Sequence, residues 1–100
     1  MVKYKALYKA MYDDLKDSEM MICYADEIRE NKEDAALADV IAKYAQYRLN
    51  HFMEFHKLFE NEASKEPQVN AESVAYCMWD TTHEMMMEWY GSIKQKIEKF

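Results

Sequence analysis

The chain has 100 residues, half of them hydrophobic and 14% aromatic, which suits one domain with a real core and excludes a disordered chain. A formal net charge of −6 and a pI near 5.0 argue against a nucleic-acid binder held by phosphate contacts. One Gly and one Pro leave almost no hairpin material, and no segment alternates with period two, so an all-α protein is predicted.

The first helix is expected over about residues 2–30. Tyr4, Tyr8, Met11, Leu15, Ser18, Ile22 and Ala25 recur on one stripe, and Leu7, Met21 and Ile28 widen it. A stripe that wide suggests two packing neighbours. Asp13, Asp14, Asp17 and Glu19 form an acidic belt, read as a solvated face with pairs such as Asp13–Lys16. Asp14 stands apart, between Met11 and Ser18 at the edge of the apolar stripe.

Residues 31–34 break the pattern. Asn31 tolerates a left-handed cap, and Asn31 or Asp34 can accept from the free amides that open the next helix. A connection this short forces an antiparallel hairpin. The second helix is expected over about 35–62. Leu37, Ile41, Tyr44, Arg48, His51, Phe55 and Leu58 fall at steps of three and four, a stripe expected to face the core. Arg48 and His51 on such a stripe are costly unless paired, hydrogen-bonded or metal-bound. His56 falls off it, beside Phe52 and Phe59, and reads as a boundary packing residue.

Residues 62–69 carry Pro67 and form the second connection, with Asn70 as N-cap of a third helix over about 71–99. Tyr76, Trp79, His83, Met86, Tyr90, Ile93 and Ile97 make one stripe. Ala71, Ala75, Met78, Thr82, Met85 and Trp89 make another beside it. Gly91 is expected to admit a close backbone approach. So broad an apolar face predicts a homodimer, with Met85, Met86, Met87, Trp89 and Tyr90 as the interaction surface. Nine Met suit an adaptable contact, and Met87, off both stripes, is the one expected to be exposed.

Cys23 and Cys77 show no C-x-x-C spacing and fall in or beside apolar positions, as free thiols buried like small hydrophobes. A cytoplasmic setting follows as the expectation. No apolar run approaches the ~20 residues of a spanning helix, and residues 1–5 lack the apolar segment of a signal peptide, so no membrane is expected.

The central constellation is Arg48-x-x-His51-x-x-Glu54. In carboxylate-bridged metal bundles, a Glu-x-x-His supplies a bridging carboxylate and an imidazole to one inward face. Here the first position is a permanent cation, which repels a metal. Arg48 is therefore predicted to stand in for the ion, pairing with Asp14 or Asp17 from helix 1 and Glu84 from helix 3. The competing expectation is a divalent metal held by His51, His83, Glu54 and Asp14. His83, with Thr82 and Glu84, forms a second polar group facing helix 2. No catalytic residues are assigned: there is no Ser/His/Asp context, Gly-rich phosphate loop or zinc spacing of Cys and His.

Leu37-Ala38-Asp39-Val40-Ile41, followed by Leu49-Asn50-His51 and Phe55-His56, resembles the second helix of small ferritin-like proteins of phages and gut bacteria, which are related in pattern to rubrerythrin-type bundles. Trp79-Asp80-Thr81-Thr82-His83-Glu84-Met85-Met86, continuing to Trp89-Tyr90-Gly91-Ser92-Ile93-Lys94, resembles their last helix. The resemblance implies a three-helix antiparallel ferritin-like bundle, completed by dimerisation, with iron or manganese as its cofactor. Two positions depart from that pattern: Arg48 and Thr82 stand where it has Glu before each His. The site implied is thus degenerate, and the function expected is a non-enzymatic acidic interaction or accessory protein of phage style. Its partner would be an unidentified protein, such as a host defence or nucleic-acid enzyme that it inhibits. The alternative is an iron- or manganese-binding protein using His51 and His83.

Overall fold

The computed structural model describes residues 2–32, 34–65 and 74–100, with side chains within 6–32, 34–60 and 83–100. It contains α1 (Val2–Glu30), α2 (Ala35–Lys65) and α3 (Val74–Lys99), with no strand among the described residues. The all-α expectation holds, and α2 runs three residues past its expected end at residue 62. Pro67, the Asn70 cap and the expected start of the third helix at 71 lie outside the described residues, as do the side chains of Tyr4, Tyr76, Cys77, Met78, Trp79 and Thr82.

The α1–α2 connection is held at both ends. Asn31 N donates to the Glu27 carbonyl at 3.0 Å, so Asn31 still belongs to the helical ladder. The left-handed residue is Lys32, with φ 56°, rather than Asn31: the chain reverses only after that last i−4 bond is made. Asp34 is the N-cap of α2, its Oδ1 accepting from the Leu37 amide at 3.0 Å.

The α1 stripe is buried as its spacing predicts: Met11, Leu15, Ser18, Ile22 and Ala25 are closed to solvent. On α2 the buried residues are Ala38, Ala45, Leu49, Phe52, His56 and Phe59. The expected α2 stripe is thus displaced by one residue, about 100° of helix rotation. Leu37, Tyr44 and Leu58 are exposed, and Ile41, Arg48, His51 and Phe55 are half-buried. Two forces select this rotation. Burying Arg48 centrally would strand a cation. The small Ala38 and Ala45 also let the α1 and α2 backbones approach, so that Ser18 Oγ donates to the Ala45 carbonyl at 2.7 Å.

Pairings between α1 and α2 run in opposite senses. The Tyr8 and Phe59 rings lie 5.0 Å apart, Asp14 meets Arg48, and Ser18 meets Ala45. Along α3 the numbers rise with α1: Tyr12 meets the edge of Trp89, and Glu19 accepts from Trp89 Nε1 at 3.1 Å and pairs with Lys96 at 3.4 Å. Arg29 Nη1 donates to the Phe100 carbonyl, and its guanidinium sits 3.9 Å over the Phe100 ring. Glu19 is therefore part of the packing against α3, and Asp13 pairs with Lys9 at 3.5 Å, one turn before rather than after it.

In α3, Met86 and Ile93 enter the core, and Tyr90 stacks on Phe52 at 5.6 Å. Met87 is partly buried against the same cluster, so the exposed methionine of the triplet is Met85. Among the described residues a Cβ on Gly91 would meet nothing within 4 Å, so no close backbone approach there explains that glycine. Cys23 is exposed rather than buried. The molecule measures 53 × 18 × 17 Å. Among the described residues, no helix is long and apolar enough to cross a membrane.

Candidate functional site

Helix α2 carries two polar centres, one on each neighbour. The first faces α1. The Asp14 side chain, only 3% exposed, accepts from Arg48 Nε on Oδ1 at 2.7 Å and from His51 Nδ1 on Oδ2 at 2.9 Å. Arg48 Nη2 reaches Asp17 Oδ2 at 3.0 Å, and Nη1 donates to the Tyr44 hydroxyl at 3.4 Å. The Tyr44 hydrogen bond, then Asp14 and Asp17, outweigh burial and hold the guanidinium above its ordinary pKa. Every carboxylate oxygen of Asp14 thus has a charged or aromatic N–H donor, which is what a buried carboxylate requires.

An open cleft of about 410 Å³ lies over this network, lined by Ala10, Asp13, Asp14, Tyr44, Tyr47, Arg48, His51 and Phe55. Rings continue along its α2 wall: Tyr44 and Tyr47 stack at 6.1 Å, Tyr47 and His51 at 6.1 Å, and the His51 ring meets the Phe55 edge at 4.7 Å. The predicted pairing of Arg48 with Asp14 and Asp17 is present. Glu84, expected as a third carboxylate, is instead exposed on α3; both carboxylates at Arg48 come from α1.

The second centre faces α3. His56 and Glu60 stand one turn apart on α2, which puts both on one helix face. His83 arrives from α3, its Nε2 in hydrogen-bonding contact with His56 Nε2 and the two rings nearly parallel, with centroids 4.6 Å apart. Glu60 Oε1 lies 3.6 Å from His56 Nε2 and 3.9 Å from His83 Nε2. Burial outweighs the pull of Glu60 and, with repulsion from His83, depresses the His56 pKa below its ordinary value, which favours the neutral imidazole. Its side chain is 6% exposed. His56 is therefore a core residue and not the boundary residue expected. The usable signals were its place on the Leu49–Phe52–Phe59 stripe and the His-x-x-x-Glu spacing.

The four expected metal ligands are not brought together. Asp14 and His51 meet at the first centre, His83 belongs to the second, and Glu54 is exposed. Of the residues expected as an interaction surface, only Met85 is well exposed. Met86 is buried in the chain's own core, and Met87, Trp89 and Tyr90 pack partly against it. Comparison of the chain with family models, curated proteins and solved structures gave no match.

Proposed function

We propose that the chain is a non-enzymatic interaction protein, and that the first occupant of its binding face is a second copy of itself. One observation carries this. The α2 stripe that the fold leaves outside reads Leu37, Val40, Tyr44, Tyr47, His51, Glu54 and Leu58, a strict three-four spacing on a half-open face. Such a repeat is the seam that a second helix fills with interdigitating side chains. Val40 is 63% exposed and Tyr47 61%, although each is a residue that gains by burial.

The stripe also suits a two-fold copy. Leu37 and Leu58 lie equally far in sequence from its middle at residues 47–48, so an antiparallel second copy would set each Leu37 against Leu58 of the other chain. The exposed parts of Leu37, Val40, Tyr44, Tyr47 and Leu58 supply roughly 500 Å² of apolar surface. With the half-buried Ile41, Arg48, His51 and Phe55, this approaches the roughly 800 Å² per partner of a stable interface. In this reading the hairpin of α1 and α2 is half of an antiparallel, ferritin-like arrangement that the copy completes. The acidic remainder of the surface stays outward, where it favours a basic protein partner.

Sedimentation equilibrium from about 1 to 100 μM tests the reading, since association near −7 kcal/mol is populated in that range. The expected result is a dimer, reduced to 12.0 kDa by Tyr47→Glu or Val40→Glu and unaffected by Met85→Glu. A monomer throughout, or a dimer that survives both α2 substitutions, overturns it.

A further inference from the structure

We infer that His56, Glu60 and His83 form a mononuclear site for a divalent transition metal of the zinc class. One nitrogen from each imidazole and one carboxylate oxygen all lie within 4.8 Å of one another, and they come from two helices. This is the only such group of three among the described residues.

The donor chemistry selects the metal. Two imidazole nitrogens and one carboxylate oxygen are a borderline set, suited to Zn²⁺ or Co²⁺; calcium and magnesium prefer all-oxygen shells. In a tetrahedral zinc site, ligand atoms about 2.0–2.2 Å from the ion stand roughly 3.3 Å from one another. Glu60 Oε1, at 3.6 and 3.9 Å from the two nitrogens, needs a small side-chain rotation to match, and the His83 ring, now in contact with His56, must draw back to the same spacing. Glu60 is exposed and free to make it, while buried His56 supplies the fixed end. Three protein ligands leave a fourth position for water.

The site also answers a structural question. Two imidazole Nε2 atoms facing each other satisfy one another only if one is protonated and the other is not. A cation between them lets both act as acceptors, and Glu60 offsets its charge. The first centre needs no ion, because Arg48 already supplies the positive charge at Asp14.

The test is calorimetric titration of the full chain, stripped with EDTA and desalted, with ZnCl₂ at pH 7.5, and with CoCl₂ for the visible bands of tetrahedral cobalt. One equivalent of Zn²⁺ should bind, and tetrahedral Co²⁺ bands should appear. Glu60→Gln should weaken binding at least roughly tenfold and His83→Gln should abolish it at one equivalent, while Glu84→Gln, at an exposed carboxylate beside His83 but outside the group, leaves it unchanged. Because Glu60 is exposed, its substitution reports on ligation even if His83→Gln fails to fold. Binding below one equivalent, equal binding in Glu60→Gln, or loss in Glu84→Gln overturns the inference. Dimer formation is scored separately, since none of the three ligands lies on the Leu37–Leu58 stripe.

Discussion

At Asp14 each carboxylate oxygen receives its own donor, Arg48 on one side and His51 on the other; at His56 two imidazole nitrogens and a carboxylate oxygen converge instead. Both centres hang on α2, their histidines five residues apart, and both hold a polar group closed off from water. The first is filled from within the chain by a cation that cannot lose its proton. The second gathers acceptors and one exchangeable proton. A buried polar group can be satisfied by a fixed charge or by something that comes and goes, and only the second kind leaves room for a response to solution conditions.

Removing the fixed charge is the most forceful way to break this contrast. Arg48→Ala leaves Asp14 with His51 as its remaining donor and Asp17 facing it without a counter-charge. Because Arg48 is 21% exposed, the low end of the range for breaking a buried pair applies, about 3 kcal/mol. A fall in Tm of roughly 12–24 °C in calorimetry is expected. A change under about 1 kcal/mol would mean that solvent reaches Asp14 and that the two centres do not differ as described.

Acidification probes the other side. The His56 pKa is lowered in the folded chain from its ordinary 6.5, by burial first and then by His83 on α3, with Glu60 on α2 opposing. The unfolded chain therefore takes up this proton first. The stability contributed by neutral His56 is complete above about pH 6.5 and is lost as pH falls through the folded value. Urea midpoints should drop between pH 7.5 and 5.0, and His56→Gln should flatten that part of the profile. A profile equally steep in His56→Gln would assign the proton uptake to another group.

The smallest effect sharpens the comparison by leaving both centres alone. Gly91 sits within α3 with open space where a Cβ would go, so Gly91→Ala should stabilise by about 1 kcal/mol through helix propensity. Its acid profile should run parallel to that of the unmodified chain. A destabilised Gly91→Ala would show that the space is occupied in solution.

Much of this architecture was legible in the residues, and the exceptions share a cause. Helix α1 offers a single apolar stripe from Tyr8 to Ala25, so its buried face was readable at once. Helix α2 offers two, one residue apart, and periodicity cannot rank them. The tie is broken by tertiary contact: Ala38 and Ala45 admit the α1 backbone, and the other stripe carries Arg48. That rotation of about 100° moved His56 inward and His51 to the rim, and so rearranged the expected ligand set. The Arg48–Asp14 pair survived because a cation in an apolar pattern demands an anion, and Asp14 was the one acid at the edge of a buried stripe. Met86 and Met87 turn inward for the same reason as the α2 stripe: an apolar face wide enough for a partner is also wide enough to wrap two helices of its own chain.

The slender shape has a consequence for how this protein behaves in a flowing or centrifuged solution. Its radius of gyration, 16.1 Å, exceeds the roughly 13 Å of a rounded 100-residue body. Its long axis, at 53 Å, is about three times its width, so friction acts on it as on a larger particle. A single chain will leave a sizing column earlier than a rounded body of its mass, which is why mass and drag have to be measured separately. Joining two rods side by side along α2 doubles the mass while making the particle rounder, so the frictional ratio should fall on association. Joining them end to end would raise it.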